Sequence, residues 1–281
     1  MSIRPILPRD GGHWAWGEQG HRLPRLDSNR SEVDEEWAAS LRFPMRIAET
    51  HCVITGASTG IGFAIAERLG ERGARLVICG RNAAKLAEAV KRLEGEGIRV
   101  AGHTCDVGDP SQVERFATAA HDHLGRVDVL INNAGFGHFA PVADTSVEIF
   151  DQIMAANVRG VFLMTRAFLP EMLERQSGHI VNIASLAGKN GVPNGAAYSA
   201  SKHAVIGFSR SLMLEVRKQG VRVIAVCPGS VATPFFDRAG APRDDHDKLL
   251  QPKDVADAVV GALELPKRAL ISELDIRPAN P

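Results

Sequence analysis

The sequence predicts an α/β domain: a doubly wound, mostly parallel sheet of seven strands with helices on both faces. Three observations lead to it. From residue 50 onward, short apolar runs alternate with segments whose apolar residues recur at helical spacing. The apolar runs are near-continuous, as expected of strands buried on both faces of a parallel sheet. The first run also ends in a glycine-rich turn, TGASTGIG, that leads into a helical pattern.

Each element follows in order. HCVITG is a short run rich in β-branched residues and closed by glycine, hence a strand; IGFAIAERLGERG is helical in spacing and stops at Gly73. ARLVICG is the second strand and NAAKLAEAVKRLEGEG the second amphipathic helix. Strand IRVAGHTCDV, helix PSQVERFATAAHDHLG and strand VDVLINNAG continue the alternation. Later come strand GHIVNIAS, the helix carrying YSASK, strand VRVIAVCPG, helix PKDVADAVVGALEL and strand ALISELDIRP. Unit lengths vary, which argues against a solenoid.

At 281 residues the chain has room for one large domain or two small ones. Composition shifts once, near Met45, so residues 45–281 are predicted to be one domain and 1–44 an N-terminal extension. The extension holds all three tryptophans, Trp14, Trp16 and Trp37, with six arginines and seven acids. That acid content argues against a transit peptide, and no apolar segment suits a secretory signal. A flexible tail and an upstream start codon read in error are the favoured readings; a docking segment stays open because of the indoles. The 33 basic and 33 acidic residues cancel, which gives no reason to expect nucleic acid or an anionic membrane as partner. No apolar run approaches the roughly 18 residues of a membrane span. Cys52, Cys79, Cys105 and Cys227 form no CxxC pair and sit in or beside apolar runs. They read as buried hydrophobes of a reducing, cytoplasmic compartment. The histidines His103, His121, His123, His138 and His203 show no metal-ligand spacing, and no metal is expected.

Glycines Gly56, Gly60 and Gly62 stand between a strand and a helix. There they permit a tight turn and let backbone approach a pyrophosphate seated on the positive end of the helix. A glycine pattern alone is weak evidence, and a plain turn is the competing reading. The second strand adds to it. Dinucleotide folds place an acid near its end to hold the ribose hydroxyls of NAD. Here Gly80 stands in that place and Arg81 follows. A guanidinium pairs bidentately with a 2′-phosphate, so the expected cofactor is NADP. Asp106 and Val107 are placed to meet the adenine, and Asn133, Ala134 and Gly135 end the fourth strand.

TGASTGIG, Asp106-Val107, NNAG at 132–135, Asn157 in ANVRG, Ser185 in NIAS, YSASK and PGSVATP occur together in order and spacing. The set resembles the short-chain dehydrogenase/reductase family over about residues 48 to 278, with no departure at a core motif. The resemblance implies a Rossmann-like fold and an NADP(H)-dependent oxidoreductase that interconverts a carbonyl and a secondary alcohol. It implies a catalytic tetrad of Asn157, Ser185, Tyr198 and Lys202. It also implies cofactor contacts at Gly56, Ser58, Thr59, Gly60, Ile61, Gly62, Arg81, Asp106, Val107, Asn133, Ala134, Gly135, Tyr198, Lys202, Pro228, Gly229, Val231 and Thr233.

The residue chemistry agrees. Tyr198 is the single tyrosine, and Lys202 lies four residues later, on the same helix face. An unperturbed phenol titrates near 10, and a nearby cation is expected to lower that value toward a usable general acid or base. Lys202 would also hold the nicotinamide ribose hydroxyls. Ser185 would donate to the developing alkoxide, and Asn157 would hold a water linking Lys202 to solvent.

Candidate substrate contacts follow the strand ends: Phe136, Gly137, His138, Leu186, Asn190, Asn194, Ser230, Val231 and Phe235. The lid between Thr233 and Pro252 is short. Its Arg238, Arg243 and Lys248 suit an anionic substrate group, with a solvated charged loop as the favoured reading. By analogy the substrate is a 3-oxo or 3-hydroxy acid or acyl thioester. The rival readings are a non-catalytic NADP-binding regulator, a reductase for another ketone class, and an isomerase or dehydratase of the larger branch. The helices of ANVRGVFLMTRAFLPEML and of the segment from Asn194 carry apolar residues on more than one face. A homodimer or homotetramer is expected, and the family resemblance favours the tetramer.

Overall fold

The computed structural model describes residues 45–242 and 248–279. The N-terminal extension with its tryptophans, and Arg243 of the lid, lie outside the described residues.

The seven strands are β1 (His51–Thr55), β2 (Arg75–Gly80), β3 (Val100–Thr104), β4 (Val129–Asn132), β5 (Gly178–Ile183), β6 (Val221–Pro228) and β7 (Glu273–Ile276). They form one sheet in the order β3-β2-β1-β4-β5-β6-β7. The expectation was a mostly parallel sheet; every pairing is parallel. Side chains alternate between the faces, as a two-residue period requires. Cys52 and Ile54 of β1 join one core, which also holds Leu69, Leu93 and Val259. Val53 joins the opposite core, with Phe116, Phe168 and Leu212.

The helices supply the other half of each core. α1 (Gly60–Glu71), α2 (Ala83–Gly95) and α8 (Pro252–Leu263) carry buried residues of the first; α3 (Pro110–Leu124), α5 (Gly160–Glu174) and α6 (Ala196–Val216) carry those of the second. Local chemistry sets several boundaries. The Asn82 side chain accepts from Lys85 N–H and starts α2; Asp109 accepts from Ser111 and Gln112 N–H and starts α3. Gly125, at φ +77°, ends α3.

Two elements went unread in the sequence. α4 (Val147–Met154) runs directly into a π-helical turn, Ala155–Arg159, and on into α5. A single turn, α7 (Phe235–Arg238), stands in the lid. The order of strands reverses at β1, whose neighbours are β2 and β4. A crevice therefore opens beyond the carboxyl ends of β1 and β4, where ligands of such sheets bind.

Candidate active site

The crevice floor is built from Thr55 and Asn133. The buried Thr55 Oγ1 accepts from the backbone N–H of Asn133 at 3.0 Å and of Ala134 at 2.9 Å, tying the ends of β1 and β4 together. Asn133 Nδ2 donates to the carbonyls of Thr55 at 2.9 Å and Gly56 at 3.0 Å. Gly56 takes φ +64°, and a Cβ there would stand 2.7 Å from Ala134 Cα, so backbone meets backbone. Gly60, at φ +63°, opens α1. Gly62 stands behind the cleft lining. Its missing Cβ lets α1 press onto Asn133 and the Gly56 carbonyl.

The cleft measures about 820 Å³. The other expected cofactor residues line it, from Ser58 and Ile61 past Asp106 and Ala134 to Pro228, Val231 and Thr233. Asp106 is fixed by its turn, its carboxylate accepting from Gly108 N–H at 2.9 Å. Beyond β2, Gly80, Arg81 and Asn82 are joined at the wall by Lys85, which sequence reasoning missed. Two exposed cations at the first turn of a 13-residue helix, with glycine in place of an acid, suit a phosphate. A glycine cradle at one helix start and a phosphate-seeking pair at the next fit a phosphorylated dinucleotide.

Ser185, Tyr198 and Lys202 meet in the middle of the cleft. Ser185 follows β5 in extended backbone, its Oγ accepting from Ala187 N–H at 3.1 Å. Tyr198 and Lys202 lie one turn apart on α6, 8% and 5% exposed. Lys202 Nζ donates to the carbonyl of Ile183 at 2.9 Å and stands 5.7 Å from the Tyr198 ring centre. Burial pushes the Tyr198 phenol up to about 12, opposed by its hydrogen bond with Ser185. Burial also brings the Lys202 ammonium down to about 8. The expected lowering of the phenol by Lys202 is therefore not seen. The ammonium spends its hydrogen bond on Ile183, and in so dry a place burial outweighs it.

Asn157 does not line the cleft. It occupies the π turn, where its Oδ1 accepts from Phe136 N–H at 2.7 Å. Its Nδ2 donates to the Phe136 carbonyl at 2.9 Å and to Ser201 Oγ at 2.9 Å. Ser201 in turn donates to the Tyr198 carbonyl at 2.7 Å. Asn157 thus ties the loop after β4 to the turn of α6 that bears Tyr198. Ser201, a further residue that sequence reasoning missed, completes that tie.

Toward the lid the wall is aromatic. Of the expected substrate residues, Leu186, Ser230, Val231 and Phe235 line the cleft, whereas Phe136, Gly137, His138, Asn190 and Asn194 do not. Phe139, Val192 and Phe236 take their place. The FF pair at 235–236 was a readable sign; the partnership with Phe139 was not. Among the described residues no group of three or more His, Cys, Asp or Glu could hold a metal ion, and no helix is long and apolar enough to cross a membrane. All four cysteines are free and buried.

Comparison with known proteins places this geometry. The family described as short chain dehydrogenase matches residues 50–244. The granaticin polyketide synthase putative ketoacyl reductase 1 of Streptomyces violaceoruber is 43% identical over 203 residues, 72% of this chain and 75% of that protein. A putative ketoacyl reductase of Streptomyces coelicolor is 40% identical over 228 residues, covering 74% and 87%. Among solved structures, an actinorhodin polyketide ketoreductase variant with NADPH superposes with a TM-score of 0.77 at 35% identity, covering 83% of this chain and 98% of that one. The alcohol dehydrogenase of Thermococcus sibiricus complexed with 5-hydroxy-NADP gives 0.75 at 32% identity, covering 82% and 97%. The parallel seven-stranded sheet, the glycine turn at its switch point and these likenesses agree: the chain belongs to the short-chain dehydrogenase/reductase family of oxidoreductases.

Proposed function

We propose that the protein is an NADPH-dependent reductase that converts a carbonyl into a secondary alcohol, and runs the reverse reaction with NADP. The observation that carries this is the meeting of Ser185 with the buried Tyr198 and Lys202 in one cleft beside the glycine turn. The relatives named as ketoacyl reductases support a 3-oxoacyl compound, acid or thioester, as substrate class.

Gly56, Ser58, Thr59, Gly60 and Ile61 would cradle the pyrophosphate, with Arg81 and Lys85 on the 2′-phosphate and Asp106 and Val107 at the adenine. The bound cofactor supplies the hydride. The chain supplies the rest. Ser185 Oγ donates to the substrate oxygen as it gains charge. Tyr198 delivers the proton to that oxygen. Lys202 would hold the ribose hydroxyls of the bound cofactor, and its charge would favour the phenolate left behind. Asn157 positions: it holds the loop after β4 against α6. The dry wall excludes water from the reacting centre.

Tyr198→Phe tests the reading, because it removes the transferable proton and leaves the ring. Turnover of a ketone panel should fall at least about a hundredfold, while NADPH binding, read by its fluorescence, stays within about threefold. A variant that keeps a tenth of wild-type kcat would remove Tyr198 from proton transfer. Binding without turnover by the wild type would make the protein a regulator.

The same reading extends to domain and assembly. Residues 45–281 would form the catalytic unit, with 1–44 as an extension outside it. Phe150, Phe162 and Leu214, on α4, α5 and α6, are 43%, 47% and 59% exposed. Such apolar groups on neighbouring helices suit a face between copies, and support a homodimer or homotetramer. Light scattering should give a multiple of the 30.2 kDa chain mass, also for a chain begun at Met45. A fully active species of one chain mass would overturn this.

A further inference from the structure

The substrate end of the cleft is walled by rings from separate parts of the chain. Phe139, in the loop after β4, stands 5.6 Å from the Tyr198 ring, tilted by 52°. Phe235, the first residue of α7, stands 5.5 Å from it at 47°. Phe236 stacks on Phe139 at 6.3 Å and meets Phe235 edge-on at 5.6 Å. The catalytic phenol ring is thus flanked by two phenylalanines, with a third behind them.

This wall is closed. Phe139 N–H donates to the carbonyl of Ala239 at 3.0 Å, pinning the lid to the loop after β4, and Ala239 is buried. The tip of the Phe235 ring fills the space that a side chain at residue 137 would take. A substrate that reaches the Tyr198 hydroxyl from this end has to move one of the rings that flank it. Phe235 is the ring built to move: it sits on a single turn bounded by Pro234 and by Gly240 at φ +77°.

Arg238, Lys248 and Arg277 also line the cleft. At Tyr198 itself the wall is made of rings, so shape and ring chemistry act on the group next to the carbonyl. Aromatic rings prefer flat partners in offset or edge-on contact. A substrate that moves the Phe235 ring aside packs its flat group between that ring, Tyr198 and Phe139.

We propose that Phe139, Phe235 and Phe236 form an aromatic gate over Tyr198. It selects carbonyl compounds whose carbonyl bears a flat, conjugated apolar group, and Phe235 is the residue displaced on entry. The proposal rests on the carbonyl-reducing reading of the same site and names its substrate class. Phe235 is a specificity-determining residue: it touches the substrate body, not the reacting atoms.

The test uses the full chain and two ketones of equal carbon number, acetophenone and 2-octanone. NADPH consumption should favour acetophenone in kcat/KM by about tenfold or more. Phe235→Leu keeps apolar bulk and loses the ring. It should bring that ratio below about threefold, mainly through KM for acetophenone. Phe236→Leu, one ring further from the phenol, should lower the ratio less, and serves if the first variant does not fold. Calorimetric binding of both ketones to the NADP-loaded protein gives a readout that needs no turnover. Discrimination in binding by the wild type and its loss in Phe235→Leu uphold the gate, even if neither ketone is reduced and the reductase reading fails. An unchanged ratio in the variants, or equal binding of the two ketones by the wild type, overturns the gate.

Discussion

The two halves of the cleft are made by different means. The cofactor half is held by backbone: Gly56 pressed against Ala134, with the Thr55 hydroxyl and the Asn133 side-chain amide bonded to main-chain groups. The substrate half is made of side chains, with Phe139, Phe235 and Phe236 leaning on Tyr198. Backbone set against backbone has one arrangement and no way to give. Rings set against rings can rotate, and α7 is a single turn. The difference teaches where the molecule should tolerate change: a shared chemistry held rigid on one side, and a replaceable wall on the other.

The same small substitution in each half would break or sharpen this contrast. Gly56→Ala should have the largest effect. A residue with a side chain at φ +64° carries a penalty of about 1–2 kcal/mol, and its methyl would lie 2.7 Å from Ala134 Cα, with no flexible atom to move aside. NADPH affinity should fall by roughly a hundredfold or more, with a clear loss of melting temperature; an affinity within about threefold of wild type would show that the turn can relax.

Arg81→Leu comes next, because it touches the cofactor half without disturbing its backbone. Removing a charge-assisted contact of about 1.5–3 kcal/mol should weaken NADPH ten- to hundredfold and leave NADH nearly unchanged. Paired titrations of the two cofactors decide it. Equal losses for both would place Arg81 away from the 2′-phosphate.

Gly137→Ala should have the smallest effect. Its methyl meets the far end of the Phe235 ring, which can swing away, and Gly137 is not at positive φ. Denaturant unfolding should show less than about 1 kcal/mol of change, the ordinary range for a site without backbone strain. If Gly137→Ala costs as much as Gly56→Ala, the contrast between the halves fails.

The same contrast explains what could be read from residues alone. β1, the glycine turn and α1 are contiguous, and their requirements, β-branched residues, positive φ and helical spacing, are local. So are Tyr198 and Lys202, four apart on one helix. Phe139 was missed because its contact with Tyr198 spans dozens of residues and depends on how the lid folds back. Phe136 and His138, its neighbours, were chosen instead, and one of them spends its backbone on Asn157. The phenol shift was misjudged for a related reason. Spacing places a cation near Tyr198, but the burial that lifts the phenol to about 12 is a property of the folded cleft, where Phe139 and Phe235 flank the ring. The resemblance points to Asn157 as a holder of water; its tie to Phe136 and Ser201 is not readable from spacing, since those partners lie on other elements.

The π turn at Ala155–Arg159 has a consequence for the outside of the molecule. Phe150 and Phe162 are twelve positions apart on one continuous helical path. At about 100° per residue, an uninterrupted α-helix would set them roughly 120° out of phase. One surplus residue absorbed in a π turn reduces the effective separation to about eleven positions, roughly 20° from alignment. The two exposed rings then share an outward stripe that a plain helix would have split. The insertion that carries Asn157 to its partners thus also sets the angular phase of the surface on the far side, and deleting a residue there would disturb both at once.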